Sequence, residues 1–512
     1  MARGYVDASF ANVLCTTSSA TSAIGTTALP IFDADHGSIV LAGNTSDDIS
    51  YDDLAGTFTF ARDGVYHIVL SLISEIAAGN QTITTTFIQN ATTRYTAAIK
   101  NTGALDPIES THQKIISVVA GDVLHVKAVA GASTTGVLKG SAISIVEVTS
   151  GVYASNTVTT AGTTNTTAEF NPYDTDFGGG PAFAAGSQIA SGVTFTGTAG
   201  SWTVPSAGKY LIMVTNIHTA AASTNSDITM HLKEGTNEIY TGAFANNNIS
   251  TPSESTFTVI ENLAADAVLT VTWDIASGQC QSAVGSTITI YKLGFERSQS
   301  LARFISVVSK AEMTAVATEI NPYDEDAFSS ADFDTRSSAG IGFTQADGKF
   351  TVEKSGLYFV MYNSAIKAST ATDVVATYKV KVGGTARITA VARVDSYPDP
   401  MSRSFNGIFD LAAGDEVTVT VTSDGANMET VIGDCIVIVR LADWLYREDT
   451  PRDLIESDYT INSFSQDCLS VQHPRHVEQV PFILGVPGVC SLRGRQLDQD
   501  HSFVVNQGKK KN

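Results

Sequence analysis

The chain has 512 residues, 52 acids against 31 Lys and Arg, and a net charge of −21. A surface of that sign repels phosphate backbones, which argues against a nucleic-acid partner, and no apolar run approaches the roughly 20 residues that cross a bilayer. Five scattered cysteines (Cys15, Cys280, Cys435, Cys468, Cys490) have no metal-binding spacing and read as free thiols, with Cys468–Cys490 the one pair close enough in sequence to consider joining.

Alternating apolar and polar residues dominate, with few helical periods, so the expected class is all-β. The first residues, Met1–Cys15, lack the apolar core of a secretory leader, and the expectation is synthesis and folding in the cytosol. A Pro-aromatic-acid patch follows, Leu29-Pro30-Ile31-Phe32-Asp33. Gly56–Leu70 then reads as a strand, a tight turn that needs glycine, and a second strand opened by Gly64 and Tyr66. An Ala120-Gly121-Asp122 turn comes next, and Gly140 opens a last apolar strand, Ser141–Val148.

These landmarks return twice. The patch recurs as Asn171-Pro172-Tyr173-Asp174 and Asn321-Pro322-Tyr323-Asp324. The paired-strand stretch recurs as Gly200–Val214 and Gly348–Met361, with Tyr210 and Tyr358 lying 144 and then 148 residues further along. The turn recurs as Ala265-Asp266 and Ala413-Gly414-Asp415, and the last strand opens again at Gly285 and Gly433. A period this long is a whole domain with its own core rather than a solenoid repeat. The expected organisation is all-β: three tandem β-sandwich jelly-roll domains over 1–150, 151–297 and 298–445, with short linkers, then an extended, mostly irregular C-terminal arm over 446–512. Tyr66, Tyr210 and Tyr358 are expected in the three cores with bonded hydroxyls.

The arm differs in composition. Its 9 acids and 8 bases sum to −1, leaving −20 for the rest, and it holds 4 of the 13 prolines. Thr450-Pro451 starts a short expected helix ending near Ser457. The remainder is too broken by Pro and Gly to form a core alone and reads as a segment that docks elsewhere.

Tyr51–Thr59 followed by Gly64-Val65-Tyr66, with the Ala-Gly-Asp turn and the glycine-led last strand, resembles the globular-head domain of complement q. The resemblance covers about 440 residues at the level of motifs. It implies the ten-stranded jelly roll shared with tumour necrosis factor, a habit of tight trimers, and no common catalytic residues. Trimer-forming domains in tandem assemble in two ways: as a homotrimer of stacked layers, the family habit, or as a single-chain pseudo-trimer.

No motif proposes a reaction, so the chain is expected not to be an enzyme. The paired acids Asp33 and Asp35, Asp174 and Asp176, and Asp324 and Asp326 suit acidic turns; the alternative is part of a calcium shell, since calcium takes 6–8 oxygens and the family places calcium near its trimer axis. The expected function is a virion structural protein, a spike, fibre or capsid-decorating protein. It would be made in host cytosol, sit on the virion surface, dock on a capsid or other virion protein through 446–512, and engage a host surface glycan or protein. The alternative is a bacterial surface or secreted protein that binds glycans or proteins.

Overall fold

The computed structural model describes residues 4–5, 9–18, 29–33, 41–77, 81–101, 107–131, 135–163, 169–176, 181–183, 187–220, 226–246, 252–294, 297, 300–307, 309–313, 318–324, 333–334, 339–369, 374–394, 401–425, 427–442 and 444–445, with strand residues 460–464, 469–473, 476–486, 489–492 and 503–506. The chain divides into two compact units, Tyr5–Trp444 and Met1–Gly4 with Leu445–Asn512. In the second, the described residues of the arm lie in five short strands, Thr460–Phe464, Leu469–His473, His476–Val486, Val489–Leu492 and Phe503–Asn506, joined in chain order as an antiparallel meander. The helix expected over 450–457 lies outside the described residues.

Tyr5–Trp444 holds three antiparallel β-sandwiches, each of two sheets. In the inner sheet of the first, an edge strand (Ile108–Val118) pairs with a long strand (Gly64–Ile76), then a closing strand (Ala142–Glu147), then an opening strand (Phe10–Cys15). The second sandwich repeats this order with Ser253–Leu263, Gly208–Ala220, Thr287–Lys292 and Tyr153–Thr157. The third repeats it with Met401–Leu411, Gly356–Ala368, Cys435–Ala442 and Leu301–Ser306. The outer sheets share one strand order as well; in the first it runs Ile49–Asp52, Thr57–Phe60, Val123–Ala130, Gln81–Gln89, Thr92–Asn101. This is the jelly-roll arrangement expected from the repeat.

The landmark residues explain their own spacing. Gly200 and Gly348 sit in the left-handed region at φ 53° and 57°, and a Cβ there would come within 2.6 Å of the Asn171 amide and 2.5 Å of the Asn321 amide. Each asparagine clamps its turn: Asn171 Nδ2 donates to the Ala199 and Gly200 carbonyls, and Asn321 Nδ2 to those of Asp347 and Gly348. The tyrosine of the same patch is then carried inward, and Tyr173 and Tyr323 are fully buried. In the first sandwich Pro30 and Phe32 stand against Gly56 instead, and the Phe32 carbonyl accepts from the Tyr51 hydroxyl at 2.5 Å.

Tyr66, Tyr210 and Tyr358 are buried as expected. The hydroxyls of Tyr210 and Tyr358 donate to the carbonyls of Ser206 and Lys354, four residues back, at 2.7 and 2.6 Å. Tyr66 lacks that backbone bond; the residue four back is Arg62, whose side chain turns to Ser9 and Glu147.

The three sandwiches pack as a closed ring. A fourth apolar core, separate from the three sandwich cores, draws on all of them: Val69, Ile115, Val146, Leu211, Met213, Ile260, Phe359, Met361, Ile408 and Val437 are among its members. Ile115, Ile260 and Ile408 hold the same register, each opposite the residue after the landmark tyrosine: His67, Leu211 and Phe359. Burying one such side chain contributes about 1.5–3 kcal/mol, so this shared core is a major part of what holds the ring together.

Candidate functional site

The glycine that opens each closing strand is where one module meets the next. Gly140, Gly285 and Gly433 have φ of 95°, 98° and 101°. A Cβ on Gly285 would lie 2.5 Å from Ala97 of the first module, one on Gly433 2.5 Å from Gly242 of the second, and one on Gly140 2.7 Å from Ala390 of the third. Each seam thus repeats one contact, small residue against glycine, and the order first to second to third to first closes. The Tyr95 hydroxyl donates to the Gly285 carbonyl and the Tyr240 hydroxyl to the Gly433 carbonyl, both at 3.1 Å. At the third seam the matching hydrogen bonds are different: Ser144 Oγ donates to Asn406 Oδ1, and Asn406 Nδ2 to Ser71 Oγ, both at 2.6 Å.

The edge strands lie deepest in the seams. Such a strand presents unpaired N–H groups that must find acceptors when buried. They find side chains of the neighbouring module. Glu254 Oε2 accepts from Thr111 N at 2.7 Å, Glu109 Oε2 from Ser404 N at 3.0 Å, and Ser402 Oγ from Thr256 N at 3.3 Å. The three acceptors form one cyclic pattern around the shared axis. Thr111 and Thr256 hydroxyls donate to the second oxygens of Glu109 and Glu254, at 2.6 and 2.7 Å.

Burial governs the electrostatics here. It pushes the Glu109 carboxyl up to about 7 and the Glu254 carboxyl well above its ordinary range, with the Glu109 charge adding to the rise at Glu254. The hydroxyl and amide donors and Arg403 act against burial without cancelling it. Lys114, 2% exposed, crosses the first seam to Thr157 Oγ1 and the Ser187 carbonyl, and burial lowers its ammonium to about 7. Gln113 Nε2 crosses beside it to the Met213 carbonyl at 2.9 Å. At the second seam the fully buried Arg303 bonds Glu261 at 2.5 Å, Asp334 at 3.2 Å and the Ile239 carbonyl at 2.7 Å.

The acids singled out in the sequence lie elsewhere, in the turns before the outer sheets. Asp33 is buried, while Asp174 and Asp176 share a turn in which the Asp176 amide donates to the Asp174 carboxylate at 2.8 Å. Asp324 follows Tyr323 in the matching turn, where its amide donates to the Asn321 carbonyl at 3.4 Å. Asp35 and Asp326 lie outside the described residues. Among the described residues no three His, Cys, Asp or Glu side chains converge into a metal site. Of the cysteines, Cys15, Cys280 and Cys435 are buried free thiols, and Cys468 lies outside the described residues.

The sequence carried a signal for the axis. Glu109-Ser110-Thr111 recurs as Glu254-Ser255-Thr256 and weakens to Ser402-Arg403-Ser404. A polar tripeptide one residue into each edge strand, one repeat apart, marks a position that every module uses.

No protein-family model matches the chain, and no curated protein sequence matches it. Among solved structures it is similar to the Eiger TNF from S. frugiperda, at 14% identity and a TM-score of 0.21, over 30% of this chain and 98% of that one.

Proposed function

We propose that the chain is a virion structural protein, a spike, fibre or capsid-decorating element, in which one chain supplies a whole trimeric head of the complement-q and tumour-necrosis-factor type. The observation that carries this reading is the closed ring. Three jelly rolls bury their inner faces against one another through a common apolar core and three matched seams. A rod of stacked homotrimeric layers needs those faces for other chains, so the ring supports the single-chain assembly. The role is structural rather than catalytic: the buried polar groups of the axis are spent on bridging modules. Residues 446–512 belong to a separate compact unit with its own strands, which suits an arm that docks on a capsid or other virion protein and leaves the head to meet a host surface glycan or protein.

Two measurements test this. Native mass spectrometry of the full chain is expected to give the mass of one chain; three chains per particle would overturn the single-chain trimer. Purified virus particles are expected to contain the full chain and to lose it when 446–512 is deleted, while the truncated protein keeps its β-sheet circular dichroism. Absence of the full chain from particles, with recovery on cell surfaces, would overturn the virion role.

A further inference from the structure

We propose that the Glu109–Glu254 end of the axis is a proton-operated latch: the two carboxyls hold adjoining modules together while they keep their protons, and the seam between the third and first modules loosens when both have ionised. This inference rests on the ring and not on the virion reading.

The geometry is specific to these positions. Both carboxyls bridge modules, each taking one backbone amide from a neighbour and one threonine hydroxyl from its own strand. Neither has an ion-pair partner among the described residues. The groups that face them do not replace one. The Arg403 guanidinium donates to the Ser402 and Arg393 carbonyls, both at 3.0 Å, and to Met401 Sδ at 3.3 Å, and its Nε bonds neither carboxyl. His112, on the edge strand of Glu109, bonds Tyr95 and Ser110 and is held neutral by burial, which drops it to about 3. Tyr95 and Tyr378, the other titratable groups nearby, are raised by burial and stay neutral. A first ionisation therefore meets only Arg403, and a second sets a part-buried negative charge on Glu254 against the buried one on Glu109, so the pair titrates as a unit.

The seams are not equivalent under that repulsion. The first and second modules, and the second and third, follow each other in the chain, and a short linker holds each pair. The third and first are joined only by non-covalent contacts. Glu109 bridges this unlinked seam, through Ser404 N. Each ionisation releases one proton to solvent, and nothing else is consumed.

Backbone amide exchange on the full chain tests the latch, corrected for intrinsic rates, at about pH 6 and about pH 8.5, values chosen on either side of the Glu109 titration. The expected result is a loss of protection of at least about tenfold in the edge strand Met401–Leu411 at the higher pH, with the outer strand Glu416–Ser423 of the same module unchanged. Glu109→Gln with Glu254→Gln, which mimics the protonated pair, is expected to abolish that change. Equal protection at both pH values, equal loss in both strands, or a pH response that survives the double substitution would overturn the proposal. If the double variant does not fold, Glu254→Gln alone, which leaves no second charge to repel Glu109, is expected to abolish the loss, and a loss of unchanged size would overturn it.

Discussion

The turn ahead of each outer sheet and the shared axis are both repeated three times, yet they have aged differently. At the turns the second and third copies agree atom for atom: Asn171 and Asn321 make the same bonds to the same carbonyls around Gly200 and Gly348. At the axis, equivalent slots have parted. The hydroxyls of Tyr95 and Tyr240 donate to the Gly285 and Gly433 carbonyls at two seams, while the third seam uses Ser144, Asn406 and Ser71. The side chain that accepts a neighbour's edge amide is Glu254, Glu109 or Ser402, and only the first two are ionisable. A turn must satisfy one fixed backbone conformation inside each copy. A seam must fit two different surfaces, and when all three copies are written in one gene each seam is free to find its own solution.

The sharpest way to break this contrast is at a seam that only one pair of modules has. Glu261→Ala removes the partner that meets Arg303 at 2.5 Å and leaves a buried guanidinium with the Asp334 contact at 3.2 Å. The expected loss is about 3 kcal/mol in denaturant unfolding, because a buried charge without its partner costs more than the pair contributed. No loss would mean that the second seam is held by its apolar residues alone.

A smaller effect separates backbone strain from contact. Gly121 and Gly285 share a left-handed backbone, at φ 89° and 98°, but a Cβ at Gly121 meets nothing within 4 Å. Ala at Gly121 is expected to cost about 1–2 kcal/mol from conformation alone, and Ala at Gly285 about 1–3 kcal/mol more, because it pushes into Ala97 and Ile217. Thermal melts of the two variants give the difference; equal costs would show that the seam yields.

The smallest effect concerns pH. Burial raises the Asp434 carboxyl to about 7 from its ordinary 3.8. Between those values the folded state holds a proton the unfolded chain has lost, so this group's contribution to stability falls as pH rises. The buried His67, His112 and His218, lowered to about 4, 3 and 3, act the other way: below about 6.5 the unfolded chain binds protons they refuse. Asp434→Asn removes one side of this opposition. Its melting temperature is expected to drop more steeply than the wild type's between about pH 6.5 and about pH 4.5, and parallel curves would show that Asp434 ionises freely.

Much of the sandwich was legible because glycines, prolines and a buried tyrosine answer to local rules that every copy obeys. The ring was not, because Gly140, Gly285 and Gly433 look like ordinary strand openers until the residues they touch, Ala390, Ala97 and Gly242, are known to belong to other copies. The axial acids escaped for a similar reason. Glu109 and Glu254 sit in strands where an acid reads as solvent-facing, and the neighbour's edge buries Glu109 and half-buries Glu254. The Asp pairs drew notice instead because they are adjacent in sequence, which is a property of turns.

The closure of three seams inside one polypeptide also changes what dilution does. A trimer of separate chains comes apart as the protein is thinned, since each subunit must find two others. Here every module carries its neighbours on short tethers, at an effective concentration fixed by the chain, so dilution is expected to leave the ring within the chain closed.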